Sequence, residues 1–425
     1  MKRKRSRALR PIRCAVGLLA ILSMGAAGAS SPEARLGRLL YKDENLSLNR
    51  NQSCESCHSL RNRFAFVDPD NVREGSPVSD GSVPGRTGTL NAPSAGYAAF
   101  SPFFHWDAEE GLYVGGQFWN GRGRTLAEQA AGPFLNPVEM AMPSKWAVVS
   151  RLKEVPVYVE RFAKVYGLNL DAIPAYEQAG ADLQPPPGVL EVYERMTRAI
   201  AAFEKGRRFN RFSSKFDFYL AGQTELSARE RRGLRLFNGK ARCNACHVSA
   251  PGIAPDGGML PPLFTDFSYD NLGLPRNVNI PGDPEPDPGL GGRPDIAARD
   301  PGGQELGKHK VMSLRNIART APYGHNGVFQ TLGQIVHFYN SRDTLGWVPD
   351  NNSPGYAESG WPDPEVAQNV NRDELGDLGL TAAQERAIVA FLHTLTDGYP
   401  QWGGDPHVPP GTSSPFADTP LPPAP

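Results

Sequence analysis

The sequence predicts a mainly α fold made of two related halves, each built on its own prosthetic group and joined by long irregular loops. Three observations carry that expectation. The pentad Cys54-Glu55-Ser56-Cys57-His58 returns as Cys243-Asn244-Ala245-Cys246-His247. Each copy follows a weakly repeated stretch, Arg35-Leu36-Gly37-Arg38-Leu39-Leu40-Tyr41 and Arg232-Gly233-Leu234-Arg235-Leu236-Phe237, which reads as internal duplication. Few segments alternate apolar and polar residues as strands do. C-x-x-C-H is the attachment signature of a c-type haem, in which two thiols bind the vinyl groups and the histidine binds the iron. Two such motifs predict two cytochrome c-like haem domains related by a pseudo-two-fold axis. Cys54, Cys57, Cys243 and Cys246 would hold two covalent haems, with His58 and His247 on the irons. Two C-x-x-C pairs can also form a four-thiolate zinc site, but the long gap and the histidine after each pair favour haem.

The elements follow in order. Residues 1–29 have the form of a secretory signal peptide: seven basic residues, an apolar run from Cys14 to Leu22, and Ala27-Gly28-Ala29 as a cleavage site. That apolar run is short for a membrane span, and no later stretch is long enough, so a periplasmic protein without a membrane span is expected. A first domain, 30–222, opens on Ser31-Pro32-Glu33, a capping hydroxyl with proline at the first helical position. Ser144 to Val155 and Pro156 to Tyr166 read as helices, the latter stopped by Gly167. Val189 to Lys205 places Val192, Met196, Ala199, Ile200 and Phe203 on one face. A second domain, 223–402, opens on the capping box Ser227-Ala228-Arg229-Glu230 and closes with a helix over Leu380 to Leu395. Residues 251–303 read as a loop-rich excursion wrapped on the second half, 101–116 as an insertion, and 403–425 as a disordered proline-rich tail.

Charge and cysteine counts narrow the class. The chain has 45 basic and 45 acidic residues. Without the leader's seven basic residues the balance is −7, unlike a nucleic-acid binder. Of five cysteines, Cys14 lies in the leader and the haem motifs use the other four, so no structural disulfide is expected even in an oxidising compartment.

Between the motifs lie Gly115-Gly116-Gln117-Phe118-Trp119-Asn120-Gly121-Arg122, Leu126-Ala127-Glu128-Gln129-Ala130-Ala131-Gly132-Pro133 and Asn136-Pro137-Val138-Glu139-Met140. Here the chain resembles the bacterial di-haem cytochrome c peroxidase superfamily, and within it the MauG-like members. The resemblance implies a tryptophan between the haems, Trp119, with Gln129 and Glu139 above the peroxide-reacting first haem. Asn120 stands where an aspartate is usual. A carboxylate in a haem pocket suits peroxide cleavage, because one oxygen must lose a proton and the leaving one must gain it. The segment from Leu314 to Gly327 also matches. By resemblance Asn91, Thr320 and Pro322 would bind a calcium ion between the haems, although no acidic loop motif predicts calcium independently.

The distal ligands decide the kind of enzyme. No histidine occurs from Ser59 to Phe104, so the first haem is expected to be open on its distal side. The family's methionine on the second haem is replaced by Tyr339, as in MauG-like members; a phenolate favours ferric iron, whereas methionine raises the potential. His337, Met312 and Met259 are competing ligands, and His309, His393 and His407 read as surface or packing residues. The expected function is a peroxide-dependent di-haem oxidoreductase that oxidises an aromatic residue of a protein partner. Two alternatives stand beside it: a peroxidase fed by a small cytochrome or copper protein, and a non-enzymatic electron carrier.

Overall fold

The computed structural model describes residues 30–61, 65–176 and 184–422; the expected leader lies outside them. Among the described residues the chain is mostly helical, and strands occur only as pairs two or three residues long. No helix among them is long and apolar enough to cross a membrane.

The helices start where the sequence provides caps. Ser31 Oγ accepts the Ala34 N–H at 3.0 Å and opens Pro32–Tyr41. At Ala228–Asn238 the box closes both ways: Ser227 Oγ accepts from Glu230 N, and Ser227 N donates to Glu230 Oε2. Each orphan N–H satisfied in this way contributes about 1 kcal/mol. Gly167 ends Pro156–Tyr166 at φ 71°, a left-handed conformation that glycine adopts without a Cβ clash.

Two hydrophobic clusters form around two helix crossings. In the first, Pro32–Tyr41 packs on Val189–Glu204 and buries Leu36, Leu40 and Tyr41 with Val192, Met196 and Ile200. In the second, Ala228–Asn238 packs on Ala382–His393 around Phe237, Ile388 and Phe391. Burying each such side chain contributes roughly 1.5–3 kcal/mol. Both crossings are too close for a side chain on the shorter helix. A Cβ on Gly37 would lie 1.7 Å from the Ala199 carbonyl oxygen, and one on Gly233 would lie 2.0 Å from that of Ala387. Phe216, in Lys215–Leu220, belongs to the second cluster.

One buried carboxylate ties distant segments together. Asp397 Oδ1 accepts from the backbone and hydroxyl of Ser213, and Oδ2 accepts from Tyr97 Oη and Asn316 Nδ2. Nearby, Arg315 makes a fully buried ion pair with Asp217 at 2.7 Å.

Three irregular segments behave differently from expectation. Residues 251–303 do not wrap the second half alone: Leu260, Leu263 and Phe267 pack on Tyr97, Phe100 and Phe212. The insertion forms an antiparallel hairpin, His105–Asp107 with Leu112–Val114. The tail expected to be disordered is ordered through residue 422. Val408 is buried beside Phe218 and Tyr399, and Phe416 and Leu421 join the Tyr97 cluster. The prolines that make the tail look disordered also lower the entropy lost on docking it, so a few apolar anchors hold it.

Candidate active site

Three clefts run through the centre of the molecule, and Trp119 lines all of them. Its indole N–H donates to the Asn91 carbonyl at 2.8 Å, and its own carbonyl accepts the Lys310 N–H at 2.8 Å. The residue is therefore held at both ends, its ring by Asn91 and its backbone by Lys310.

The first cleft, of about 970 Å³, is lined by Cys57, His58, Gln129, Glu139, Arg122 and Glu204, among others. Cys54–Cys57 is one helical turn, which puts His58 directly beyond it, and the His58 N–H donates to the Cys54 carbonyl at 2.8 Å. The His58 ring places Nδ1 3.3 Å from the Phe66 carbonyl, and burial holds its pKa below the ordinary value, leaving a neutral imidazole able to ligate a metal. Gln129 projects from Leu126–Leu135, whose N-cap Thr125 accepts the Glu128 N–H. Glu139 follows that helix, and Asn136 Nδ2 donates to its Oε1 at 2.6 Å. Burial raises the Glu139 pKa, while Asn136 and the Arg122 guanidinium pull it back. Arg122 lies 3.7 Å above the Phe118 ring. Such a carboxyl, poised between two opposing influences, suits proton transfer in both directions.

The second cleft, of about 1350 Å³, holds Cys243, Cys246, His247 and Tyr339 on a largely apolar wall. His247 Nδ1 is 2.9 Å from the Phe264 carbonyl, and burial lowers its pKa. Tyr339 comes from Leu332–Ser341, and burial drives its phenol pKa upward, with the Cys243 and Cys246 thiols and Asp270 adding to the shift. In protein surroundings alone that phenol keeps its proton; only a cation in the cleft would favour phenolate. Met312 lines the same cleft. His337 instead turns to Glu385, with Nδ1 2.9 Å from Oε1, and Met259 sits half-exposed on a hairpin.

The donor sets fit haem. The second cleft has Cys243, Cys246 and the neutral His247 on its wall; the first has Cys57 and the neutral His58, with Cys54 at the other end of the same helical turn. His105, the first histidine after the first motif, lies exposed on the hairpin outside both clefts. The middle cleft, of about 850 Å³, brings Asn91, Thr320 and Pro322 together.

Four residues escaped the sequence reading. His309, expected at the surface or in packing, is buried, stacked on His325 at 3.6 Å and 6.5 Å from Trp119. His309 Nε2 lies 3.0 Å from Asp287, and His325 meets Glu365. Lys310 is buried, with Nζ on Ser101 Oγ at 2.6 Å and on the Gly116 carbonyl; burial lowers its pKa to about 7. Arg122 stood in the matched motif without a role. Glu204 has one buried carboxyl oxygen with no hydrogen-bond partner, and desolvation raises its pKa to about 8. Its signal was legible, because Glu204 lies one helical turn beyond Ile200 on the apolar face.

The comparisons with known proteins agree with this geometry. The family model for di-haem cytochrome c peroxidase matches residues 31–225. The methylamine utilization protein MauG of Paracoccus denitrificans is 38% identical over 375 residues, covering 86% of this chain and 88% of that protein. The cytochrome c551 peroxidase of Nitrosomonas europaea is 30% identical over 372 residues, covering 87% and 81%. Among solved structures, the diheme peroxidase BthA of Burkholderia thailandensis superposes with a TM-score of 0.67 at 28% identity, covering 93% and 91% of the two chains. The chain belongs to the di-haem cytochrome c peroxidase family, whose members are peroxidase-type oxidoreductases with two haems.

Proposed function

We propose that this protein is a MauG-like periplasmic oxidoreductase that uses hydrogen peroxide to oxidise an aromatic residue of a partner protein. The observation that carries the reading is Tyr339 on the wall of the cleft that also holds Cys243, Cys246 and His247. The haems, attached through Cys54, Cys57, Cys243 and Cys246, would supply the iron that receives peroxide and the electrons that break its O–O bond. Glu139 takes a proton from one peroxide oxygen and returns it to the leaving oxygen. Gln129 and Arg122 line the same cleft and orient the peroxide by hydrogen bonding. Trp119, pinned between Asn91 and Lys310, couples the two clefts electronically. Asn91, Thr320 and Pro322 offer neutral oxygens that suit calcium beside it. The leader-like first 29 residues support export.

The test is near-infrared and Mössbauer spectroscopy of the ferric holoprotein treated with one equivalent of peroxide. The expected outcome is oxidation of both haems together without prior reduction. Tyr339→Met should remove that shared state and raise the second haem's potential, and an unchanged potential would rule out phenolate ligation. A second reading has its own support, because Met312 shares the second cleft. If Met312 holds that iron, the protein is a peroxidase fed by a small cytochrome or copper protein, and it reacts only after one-electron reduction.

A further inference from the structure

The hairpin at 105–114 carries a line of aromatic rings from the surface toward Trp119. Trp106 is 50% exposed and pairs across the hairpin with Tyr113. Their centroids are 4.9 Å apart, edge to face; Tyr113 stacks on Phe104 at 5.1 Å and 8°, and Phe104 meets Tyr269 at 5.8 Å. Tyr269 is buried, and its hydroxyl donates to the Gly115 carbonyl. The inner end of the line rests on the Trp119 loop. A Cβ on Gly121 would lie 2.1 Å from the Tyr269 hydroxyl and 2.7 Å from the Phe104 ring, so glycine is what lets the rings approach. Tyr269 is also the cross-strand partner of Lys310, whose N–H holds the Trp119 carbonyl. Arg293 fixes the middle of the line, its guanidinium 4.0 Å from the Phe104 centroid and its Nη1 on the Asn120 carbonyl at 3.1 Å.

Packing alone does not call for this composition. A two-stranded hairpin gains little by leaving a tryptophan half in water, and tryptophan and tyrosine are the side chains most readily oxidised by one electron. The hairpin turn is acidic: Glu109 and Glu110 are exposed, and their N–H groups both bond Asp107 Oδ1. An exposed redox-active ring on a hairpin with an acidic turn complements a basic protein surface.

We propose that this hairpin is an electron-entry arm, on which a basic protein donor docks at Trp106 and refills the oxidised centre through Tyr113, Phe104 and Tyr269. The proposal rests on the peroxide chemistry above and applies to either source of electrons. Reducing one hydrogen peroxide to two waters breaks the O–O bond and consumes two protons and two electrons. Two donor molecules dock in succession, each giving one electron and being oxidised by one; the ladder ends each transfer as it began. Solvent supplies the two protons through the Glu139 cleft.

The experiment uses the ferric holoprotein, one equivalent of peroxide and a reduced basic cytochrome c as the donor probe. Trp106→Phe and Tyr113→Phe keep a ring in the stack, so the hairpin still packs. Each should leave formation of the peroxide-oxidised haem spectrum unchanged and slow cytochrome oxidation by about tenfold. The charge reversal Glu109→Lys with Glu110→Lys should lower the second-order rate and flatten its dependence on salt. Trp347→Phe, at another exposed tryptophan, is the control and should change nothing. Unaltered rates in both ring variants, or the loss appearing in Trp347→Phe instead, would overturn the arm. A wild-type protein whose haem spectrum does not respond to peroxide, even after one-electron reduction, removes the peroxide reading itself, and the arm with it.

Discussion

The two clefts that carry the C-x-x-C-H residues are built on similar helix crossings and are chemically unlike. Glu204 stands five residues beyond Ala199, whose carbonyl meets Gly37; Leu392 stands five beyond Ala387, whose carbonyl meets Gly233. Each of these residues lines its own cleft, so one crossing presents a carboxyl where the other presents an isobutyl group. The first cleft adds Arg122, Gln129 and Glu139; the second adds Leu272, Leu274, Val336 and Ile388. A polar cleft can deliver and remove protons, whereas a dry one strengthens every charge placed in it. On the proposed function the difference would divide the work: proton chemistry at the first site, and storage of an oxidising equivalent at the second.

That division is easiest to break at Glu139. Glu139→Gln should slow formation of the peroxide-oxidised state by ~100-fold or more while both haems stay bound. Stopped-flow mixing measures it, and an unchanged rate would leave the first cleft without its proton carrier.

A second test probes, through stability, the carboxyl that stands where the other crossing has Leu392. Glu204 has its folded pKa raised to about 8 by burial, against an ordinary value near 4.3. The folded protein therefore binds this proton more tightly than the unfolded chain. Its stability is greatest below the unfolded value and is lost as pH rises through about 8, opposite to a salt-bridged carboxylate. Glu204→Gln should be close to neutral at pH 4 and more stable than wild type at pH 9, by roughly 2–4 kcal/mol. Thermal melts of the holoproteins across that range check it, and parallel pH profiles for the two would show that the carboxyl already has a partner for its charge.

The crossings themselves provide the smallest and most symmetrical test. Gly37→Ala and Gly233→Ala should each cost about 1–3 kcal/mol, because the opposing atom is a backbone carbonyl and cannot step aside. Melting followed at each haem's own absorption change would show whether the two crossings bear equal load.

Much of this was legible in the sequence, and the exceptions share one cause. The haem pentads, the capped helices and the Trp119, Gln129 and Glu139 spacing are local patterns, and local patterns survive in a string of letters. Glu204 was also legible, since its place on an apolar helical face was visible and only its charge argued against burial. His309 and Lys310 were not, because they sit on a two-residue strand with no periodicity and owe their burial to partners such as Ser101 and Gly116, about 200 residues away. The tail was misjudged for the same reason: composition describes the segment, while Phe416 and Leu421 are held by Tyr97, Phe100 and Phe212. Non-local contacts leave no mark on the segment that makes them.

Asp397 has a consequence for any attempt to divide the molecule. Its carboxylate, near the C-terminal end of the second cluster, receives Tyr97 and Ser213 from before residue 222 and Asn316 from after it. A fragment ending near residue 222 would keep Tyr97 and Ser213 but lose their acceptor, leaving buried donors unsatisfied at about 1–3 kcal/mol each. The complementary fragment would retain a buried anion stripped of most of its donors. Neither truncated piece could satisfy this cluster by itself, so each is expected to be less stable alone than within the whole chain.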